Sequence, residues 1–570
     1  MEYSSIAQRK QAQLWERIPQ QWRLPPSQIT QGMHSPADSV TNVQYDRFNA
    51  MDIPRSCGLL SPKQIEITEN WDIKGLLGQI HSQRLTAREV IEAFCKRAAI
   101  AHQITRCLTE PLFESALQRA QELDDHLCRT GTPIGPLHGL PVSVKDSFNI
   151  RGVDSSVGIA ALALNPSDTD APLVSLLQSL GAIIITKTNV PQTMGALDSA
   201  NHLFGRTLNP HNRQLTVGGS TGGEGALLAL RGSMIGFGTD IGGSIRIPAM
   251  CNGLYGFKPS NGRVPYGGQT DGQPKAKGRI SIQATAGPIA RSIADIDTVM
   301  THLISRAQWF GEDCIPGAWP SPISSFGKIR PVTIGVLPSD GIVEPLPPIT
   351  KVLNEVANAL RRTPGVNVID LPVPKALSKC QAVAGRLMGV DGGITMMGLL
   401  ESTGETLIPW LQGRTKRGRP LLLSQLADLQ AQRGALELEL RQKLWMLDGN
   451  EQKVDAIIHP IAPHPVPELD RYNAVGYTSS FVLLDYPAGT VPVRKFGRED
   501  LESGREMEKG IIGSWDKANR ELWNEKTVDR TVYLDSPLSI QVVTPKQHDY
   551  ELFQAMELID RAIKTDRSKL

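Results

Sequence analysis

The sequence predicts an α/β fold, because short apolar strands alternate with amphipathic helices along most of its 570 residues. Two β-branched runs, at 141–144 and 182–186, have the continuous apolar character of strands that are buried on both faces. Residues 172–180 between them have helical character, and Gly181 follows at a position that glycine favours just past a helix end. This strand–helix–strand order is typical of a parallel βαβ unit.

The elements before this unit begin with a polar, proline-containing extension over residues 1–70, which carries one predicted helix at 6–17. A capping box that starts at Thr86 then opens a helix running to about His102. A further helix is predicted over 112–127, where apolar residues recur on one face. We expect the extension to lie on the surface of the main body.

After the βαβ unit, glycine-rich loops around Ser220 and Ser244 flank a predicted helix over 223–230 and a predicted strand over 234–237. Three later helices are predicted at 349–362, 421–447 and 549–564. No break in composition marks a second independent unit. Residues 71–564 are therefore predicted to form a single main domain.

Composition excludes several classes of partner. Sixty basic and fifty-eight acidic residues leave a formal net charge of +2, so neither a nucleic-acid partner nor a charged membrane surface is expected. No apolar stretch approaches the roughly 20 residues of a spanning helix. The N-terminus lacks an apolar signal core, which argues against secretion. Seven scattered cysteines without C-x-x-C spacing predict free thiols and no metal site.

The C-terminal residues 565–570 are predicted to form an exposed tail ending in Ser568-Lys569-Leu570. Ser-Lys-Leu at a C-terminus is an address read by the peroxisomal import receptor. A peroxisomal location is therefore expected, with a cytoplasmic location as the alternative. The import receptor and a second copy of the chain, forming a homodimer, are the protein partners left open.

Two glycine-embedded serines, Ser220 and Ser244, are the candidate nucleophiles. A serine hydroxyl becomes an effective nucleophile when a neighbouring base takes its proton. Lys145 ends an apolar strand, and burial favours the neutral, basic form of a lysine. The backbone N–H groups just before Ser244 could hold a developing oxyanion. The pattern predicts a hydrolase that uses a lysine base.

Two rival interpretations remain open on the residues alone. Glycine-rich loops also bind phosphate, although neither a P-loop motif nor a strand-preceded G-x-G-x-x-G is present. Residues 218–222 formally match G-x-S-x-G, the nucleophile elbow of α/β-hydrolase esterases. Ser220 would then attack, with a base and an acid drawn from His459, His464, Asp455 and Asp470. The strand that should precede Ser220 in an elbow is missing from the sequence.

The chain resembles the amidase signature family and, within it, the fungal acetamidase-like general amidases. The resemblance extends from residue 52 to the final helix. It is carried by segments 138–146, 187–192, 205–210, 218–246, 483–488 and 539–542. The resemblance implies an amidase-signature fold, in which one large mixed central sheet is covered by helices on both faces.

The resemblance also implies a triad of a lysine, a serine after a cis peptide bond and a second serine. Lys145 matches the general base, and Ser220 matches the bridging serine that follows the cis bond from Gly219. Ser244 matches the nucleophile that forms an acyl-enzyme. No metal or cofactor is implied, and the substrate would be a small-molecule amide cleaved to an acid plus ammonia or an amine.

Further residues acquire implied roles from the same resemblance. The backbone amides of four residues match the family's oxyanion hole, which binds the negatively charged oxygen. They are those of Ile241, Gly242, Gly243 and Ser244. Met194 matches a residue that lines the substrate entrance, whereas Asp240 and Arg246 match residues that support the loop. Thr221 stands where the family usually has a second serine. Its hydroxyl can still make that serine's hydrogen bond, and we expect the added methyl to alter rate or selectivity without abolishing activity.

The substrate pocket is predicted to be completed by residues from 385 to 480, in particular the loops at 391–393 and 476–478. Two alternatives of the same fold remain: an amidotransferase-type subunit and a non-catalytic binding scaffold.

Overall fold

The computed structural model describes residues 1–28, 40, 45–271, 281–324, 326–447, 452–472, 475–504, 507 and 510–567. The tripeptide 568–570, which carries the expected peroxisomal address, lies outside these residues, so that expectation stays a prediction. Within the described part, none of the helices combines the length and the apolar character that crossing a bilayer would require.

The described residues form fifteen strands and eighteen α-helices, here numbered in chain order. The strands are β1 Leu108–Pro111, β2 Pro141–Lys145, β3 Ile183–Thr188, β4 Ala200–Asn201, β5 Gly205–Arg206, β6 Ile235–Asp240, β7 Tyr255–Lys258, β8 Thr285–Ala290, β9 Val332–Val336, β10 Val366–Asp370, β11 Met446–Leu447, β12 Gln452–Lys453, β13 Ala456–Pro460, β14 Ala488–Lys495 and β15 Pro537–Val543. The helices are α1 Tyr3–Glu16, α2 Ile53–Ser56, α3 Pro62–Glu69, α4 Ile73–His81, α5 Ala87–Thr105, α6 Phe113–Thr130, α7 Pro172–Ser179, α8 Gly222–Ala229, α9 Arg246–Asn252, α10 Ile293–Ala307, α11 Pro347–Arg361, α12 Leu377–Met388, α13 Ile394–Ser402, α14 Leu423–Leu440, α15 Gly476–Leu483, α16 Arg498–Leu501, α17 Ser514–Glu521 and α18 Asp549–Arg567.

Eleven strands form one central sheet in the order β1-β3-β2-β6-β8-β7-β14-β15-β13-β9-β10. The pairs β2–β3, β2–β6, β9–β10 and β9–β13 are parallel, and the other pairs in this sheet are antiparallel. The sheet is therefore mixed, as expected, and helices cover it on both faces. The predicted fold class is confirmed.

The predicted βαβ unit is present as β2, α7 and β3, and its two strands pair in parallel with Val142 opposite Ile184. Every residue of β2, β3 and β6 is buried. Their continuous apolar character follows from this position, because both faces of the central strands are covered. This arrangement places the C-terminal ends of β2 and β6 side by side within the interior.

Helix boundaries follow local signals closely in the first half of the chain. The Thr86 capping box forms, with its hydroxyl accepting from the Glu89 amide and the Glu89 side chain accepting from the Thr86 amide.

The single helix predicted over 421–447 is wrong in its extent. Helix α14 ends at Leu440, a wider π-type turn follows, and Met446 then pairs with Lys453. Leu444 is buried within this turn, so the apolar pattern in the sequence continues beyond the C-terminal end of the α-helix.

The N-terminal segment packs directly on the sheet. Lys10 of α1 is buried and forms ion pairs with Glu110 of β1 and with Asp154. The backbone amide of Leu24 donates to the side chain of Gln103 at 2.7 Å. Polar contacts to buried partners therefore hold this segment, in addition to its apolar residues.

Candidate active site

Lys145 is the last residue of β2, between the parallel strands β3 and β6, and its side chain is fully buried. Its Nζ atom lies 2.7 Å from the Oγ of Ser220 and 2.8 Å from the Oγ1 of Thr239. Burial lowers the pKa of Lys145 to about 7, even though the carboxylate of Asp240 acts in the opposite direction. A large fraction of this amine is therefore neutral near pH 7 and can accept a proton.

Ser220 lies in the loop before α8 and follows a cis peptide bond from Gly219, as the resemblance implies. The chain is crowded here. A Cβ atom on Gly219 would lie 2.6 Å from the carbonyl oxygen of Ala196 and 2.8 Å from the amide nitrogen of Asp198, so only glycine fits. The side chain of Ser220 is almost completely buried beside Lys145.

Ser244 lies in the loop that connects β6 to α9, and Ser220 and Ser244 line the same cavity. Within the described part of the chain, the Ser244 hydroxyl makes no hydrogen bond, so it is available to a molecule in the cavity. The structure therefore brings Lys145 into direct contact with Ser220 and brings Ser244 to the cavity that Ser220 also lines.

Asp240 and Arg246 hold the loop that carries Ser244. Asp240 accepts hydrogen bonds from the backbone amides of Gly243 (2.7 Å) and Ile245 (3.2 Å), and its carboxylate pairs with the Arg246 guanidinium at 3.0 Å. Burial alone would raise the pKa of Asp240, but the charge of Arg246 keeps that pKa below its ordinary value. The hydroxyl of Thr478 donates to the carbonyl of Gly242 at 2.5 Å, which fixes the loop from its other side.

The loop amides differ in what they bind. The Gly243 amide is already engaged by Asp240, whereas those of Ile241, Gly242 and Ser244 donate to none of the described residues. Gly243 also has φ +123°, and a Cβ there would lie 2.5 Å from the Oγ1 of Thr478. Gly243 thus shapes the loop, and three amides remain available for a negatively charged oxygen.

Thr221 is fully buried at the start of α8. Its Oγ1 has no hydrogen-bond partner among the residues that the structure describes, so the hydrogen bond that a hydroxyl can make at this position is not formed there; the expected effect on rate or selectivity stays a prediction. The cause is close packing against β6: a Cβ atom on Gly238 would lie 2.5 Å from the Thr221 methyl and 2.7 Å from Oγ1. The side chain fills space there without a polar partner.

The cavity above these residues has a volume of about 600 Å³. Met194 lines it, as predicted, and so does Asp391 of the predicted 391–393 loop. The prediction for 476–478 is wrong: these residues begin α15, where Tyr477 is fully buried and Thr478 contacts the Gly242 carbonyl. Thr478 supports the loop that carries Ser244, and none of the three residues lines the cavity.

The esterase alternative requires a histidine base beside Ser220, and the structure places neither candidate histidine there. His459 and His464 are buried, and each directs Nδ1 to a main-chain carbonyl oxygen. Asp455 and Asp470 pair with arginine side chains. In the described part of the structure, none of these four residues forms a hydrogen bond with Ser220. The side chain of Ser220 instead contacts Lys145.

Comparison with known proteins agrees with this geometry. The family model described as Amidase matches residues 89–553, which is most of the chain. The chain belongs to the amidase family. It is 31% identical to the acetamidase of Aspergillus oryzae over 555 residues, covering 95% of each protein. It is also 31% identical to the acetamidase of Emericella nidulans over 548 residues, covering 95% of this chain and 94% of the relative.

A solved structure of a fatty acid amide hydrolase matches this amidase with a TM-score of 0.85 and 28% sequence identity. The match covers 98% of this chain and 95% of that chain. Together, the family and these relatives identify the amidase as a hydrolase of amide C–N bonds.

Several residues of the amidase site were not predicted from the sequence. Thr239 lies within the 218–246 segment, but nothing in that segment marks it as the residue that contacts Lys145. Tyr266, Asp271 and Ser281 line the cavity from a segment with no recognisable pattern. They reach the site because β7 and β8 bracket this segment in the sheet, which only the tertiary fold reveals.

Proposed function

We propose that this amidase cleaves a carboxamide to an acid plus ammonia or an amine through Lys145, Ser220 and Ser244, with Ser244 as the acyl-forming nucleophile. The observation that carries the proposal is the buried contact of 2.7 Å between Lys145 Nζ and Ser220 Oγ, on the cavity that Ser244 also lines. A buried lysine with a pKa of about 7 is suited to general base catalysis near neutral pH.

In the proposed first half-reaction, neutral Lys145 takes the proton of Ser220 while Ser220 takes that of Ser244. The Ser244 Oγ forms a bond to the carbonyl carbon, and the electron pair of the C=O double bond moves to the oxygen. When the C–N bond breaks, the leaving nitrogen receives the proton through Ser220. The product of this step is an ester between the acyl group and Ser244.

In the second half-reaction, water attacks the acyl carbon and gives its proton to the same relay. The C–O bond to Ser244 breaks, Ser244 recovers a proton, and the acid leaves. In both halves the negative oxygen would bind to the amides of Ile241, Gly242 and Ser244, which Asp240 and Arg246 hold in place by the contacts described above. Such preorganised donors stabilise charge as it develops in the transition state.

A serine-reactive fluorophosphonate tests this assignment. We expect mass spectrometry of peptides to find one adduct, on Ser244, and we expect Lys145→Ala and Ser220→Ala to slow its formation strongly. Ser115→Ala is a matched control, because Ser115 is an exposed serine on α6. This variant should react like the wild type.

The alternatives give different results. An esterase that uses Ser220 would carry the adduct on Ser220, and labelling would then survive in Ser244→Ala. A non-catalytic scaffold would give no adduct. An amidotransferase-type subunit would label on Ser244 but would release ammonia for a partner subunit, so robust hydrolysis of free amides by the isolated chain would argue against it.

A further inference from the structure

Gln541 is a fully buried residue of β15 that has no role in the mechanism proposed above. Its side chain makes three hydrogen bonds. The Oε1 atom accepts from the Arg246 guanidinium at 3.0 Å, and Nε2 donates to the carbonyls of Pro460 at 2.8 Å and Tyr477 at 2.6 Å. Gln541 therefore joins β15 to the start of α9, the end of β13 and the start of α15.

The chemistry of these partners fixes the orientation of the Gln541 amide. An arginine side chain only donates hydrogen bonds, and a main-chain carbonyl oxygen only accepts them. The Oε1 atom must therefore face Arg246 and Nε2 must face the two carbonyls, because the reverse orientation would break all three contacts. A glutamine amide supplies this combination of one acceptor and two donors without a charge.

One route from Gln541 to the loop that carries Ser244 runs through Arg246. The buried guanidinium donates from Nε and Nη2 to the two carboxylate oxygens of Asp240, at 3.0 Å each. Asp240 in turn accepts from the Gly243 amide. Because Gln541 binds the other terminal nitrogen, Nη1, the guanidinium is held on two edges and cannot rotate away from Asp240.

A second route runs through the start of α15. Gln541 binds the carbonyl of Tyr477, and Arg246 Nη2 binds the next carbonyl, that of Thr478, at 3.0 Å. These two contacts fix the backbone from which the Thr478 side chain projects. The Thr478 hydroxyl donates to the carbonyl of Gly242, so this route also ends at the loop.

The two routes meet at the peptide unit between Gly242 and Gly243. Its carbonyl oxygen accepts from Thr478, and its N–H group donates to Asp240. The peptide units on either side carry the N–H groups of Gly242 and Ser244, which are available for the oxyanion. Holding the central unit at both of its polar atoms therefore fixes the direction of these flanking donors.

We propose that Gln541 is a positioning residue for the amidase reaction, which fixes the peptide unit between Gly242 and Gly243 through both routes and so aims the flanking amides at the oxyanion. Gln541 is not among the described residues that line the cavity, so it acts through other residues. The inference rests on the proposed function, because it needs Ser244 as the nucleophile and these amides as the oxyanion donors.

The rate at which a fluorophosphonate labels Ser244 tests the proposal without a known substrate. The Ser244 Oγ forms a bond to phosphorus, fluoride leaves, and the hydroxyl proton passes through Ser220 to Lys145. Negative charge develops on the phosphoryl oxygen, which the loop amides stabilise. Gln541→Met keeps the length of the side chain and removes all three hydrogen bonds. We expect the rate constant at saturating probe to fall about 30-fold, with the half-saturating concentration changed by less than about twofold, because the amides act on charge in the transition state.

Gln103→Met is the matched control. Gln103 of α5 is also fully buried, and its side chain accepts from the Leu24 amide and donates to the carbonyls of Trp22 and Ala99. It is not among the described residues that line the cavity. Both variants should lose thermal stability, but Gln103→Met should label at the wild-type rate per folded molecule. Equal losses of rate in the two variants, or a wild-type rate in Gln541→Met, overturn the proposal.

The pH dependence of labelling separates the loop from the base. Lys145 keeps its contacts in Gln541→Met, so the midpoint of the pH profile should stay at the wild-type value, expected near the Lys145 pKa of about 7, while the plateau falls. A shifted midpoint would show that the substitution acts on Lys145, and it would overturn a role confined to the loop.

Gln541→Glu decides the question if Gln541→Met does not fold. It keeps an acceptor for Arg246 but has at most one proton for the two carbonyls, so its rate at saturating probe should fall by about fivefold or more. A wild-type rate in this variant overturns the proposal.

Failure of the proposed function would appear in the wild type. If the wild-type protein takes no fluorophosphonate on Ser244, the proposed mechanism is overturned, and this inference with it. If Ser244 is labelled equally fast in the wild type and in Gln541→Met, the mechanism stands and the positioning role of Gln541 is wrong.

Discussion

The Nζ of Lys145 lies 2.7 Å from the Oγ of Ser220, and both side chains are almost completely shielded from solvent. A charged lysine would pay a large desolvation penalty in this position, so the amine loses its proton far more easily than in water. The contact therefore joins a basic nitrogen to a hydroxyl that can pass a proton onward.

The pH dependence of activity should report Lys145. Because its pKa is lowered to about 7 and the proposed mechanism needs the neutral amine, kcat/KM should fall as pH drops below about 7 and level off above about 8. Lys145→Arg should be inactive at every pH between 6 and 9, since a guanidinium does not lose its proton in this range. A wild-type profile that is flat from pH 5.5 to 9 would show that another group limits the reaction.

Loss of the Asp240 charge should damage both the loop and the reaction. Asp240→Asn leaves the buried Arg246 guanidinium without its counter-ion, which costs about 3–5 kcal/mol of unfolding free energy. An amide side chain also cannot accept on both of its terminal atoms, so the Ser244 loop loses one of its contacts. We expect kcat/KM of the folded fraction to drop roughly 100-fold.

Asp500→Asn provides the comparison for that variant. Asp500 is buried and pairs with Arg494, at the end of β14 and outside the cavity lining. Its loss should lower the melting temperature but leave kcat/KM of the folded fraction unchanged. Equal losses of activity in the two variants would mean that Asp240 acts only through global stability.

The buried Thr221 hydroxyl, which has no described hydrogen-bond partner, should lower the stability of the protein. Thr221→Val keeps the shape of the side chain and removes a buried oxygen that has no described partner, so the unfolding free energy should rise by about 1 kcal/mol. Thr109→Val is the matched control, because the Thr109 hydroxyl donates to Asp146 at 2.7 Å in an equally buried position. That variant should be destabilised. Denaturant unfolding of both variants decides the point, and a destabilised Thr221→Val would reveal a hydrogen bond that is absent from the structure.

The motif-bearing half of the site was predictable from the sequence because its backbone is constrained locally. Gly219 is required by a close backbone approach, and Gly243 by a positive φ, so the pattern of glycines marks the loops themselves. The apolar strand before Lys145 likewise indicated a buried amine, and the structure buries it completely. The cis bond before Ser220 came from the family resemblance and not from the residues.

The cavity wall and the state of individual polar groups could not be predicted in the same way. Met396 lies on the largely apolar helix α13 and Leu426 on α14, whose apolar residues do not form a pronounced stripe, so nothing in the sequence distinguishes a residue that faces a core from one that faces a cavity. The engagement of the Gly243 amide by Asp240 and the isolation of the Thr221 hydroxyl depend on distances of a few tenths of an ångström. Such distances are set by packing between strands that are remote in sequence.

The C-terminal tripeptide Ser568-Lys569-Leu570 predicts peroxisomal import. A fluorescent protein fused to the N-terminus of the full chain should colocalise with a peroxisomal marker, and deletion of Leu570 should release it to the cytosol. Substitution of the nearby Asp566 by Asn leaves the tripeptide intact and should not change the location. A diffuse signal for the intact chain would remove this prediction.

Trapping the acyl-enzyme tests the central claim most directly. During turnover of an amide substrate, acid quenching followed by peptide mass spectrometry should find the acyl group as an ester on Ser244, and the ester should not accumulate in Lys145→Ala. An acyl group on Ser220, or turnover that proceeds without any acylated serine, would contradict the account.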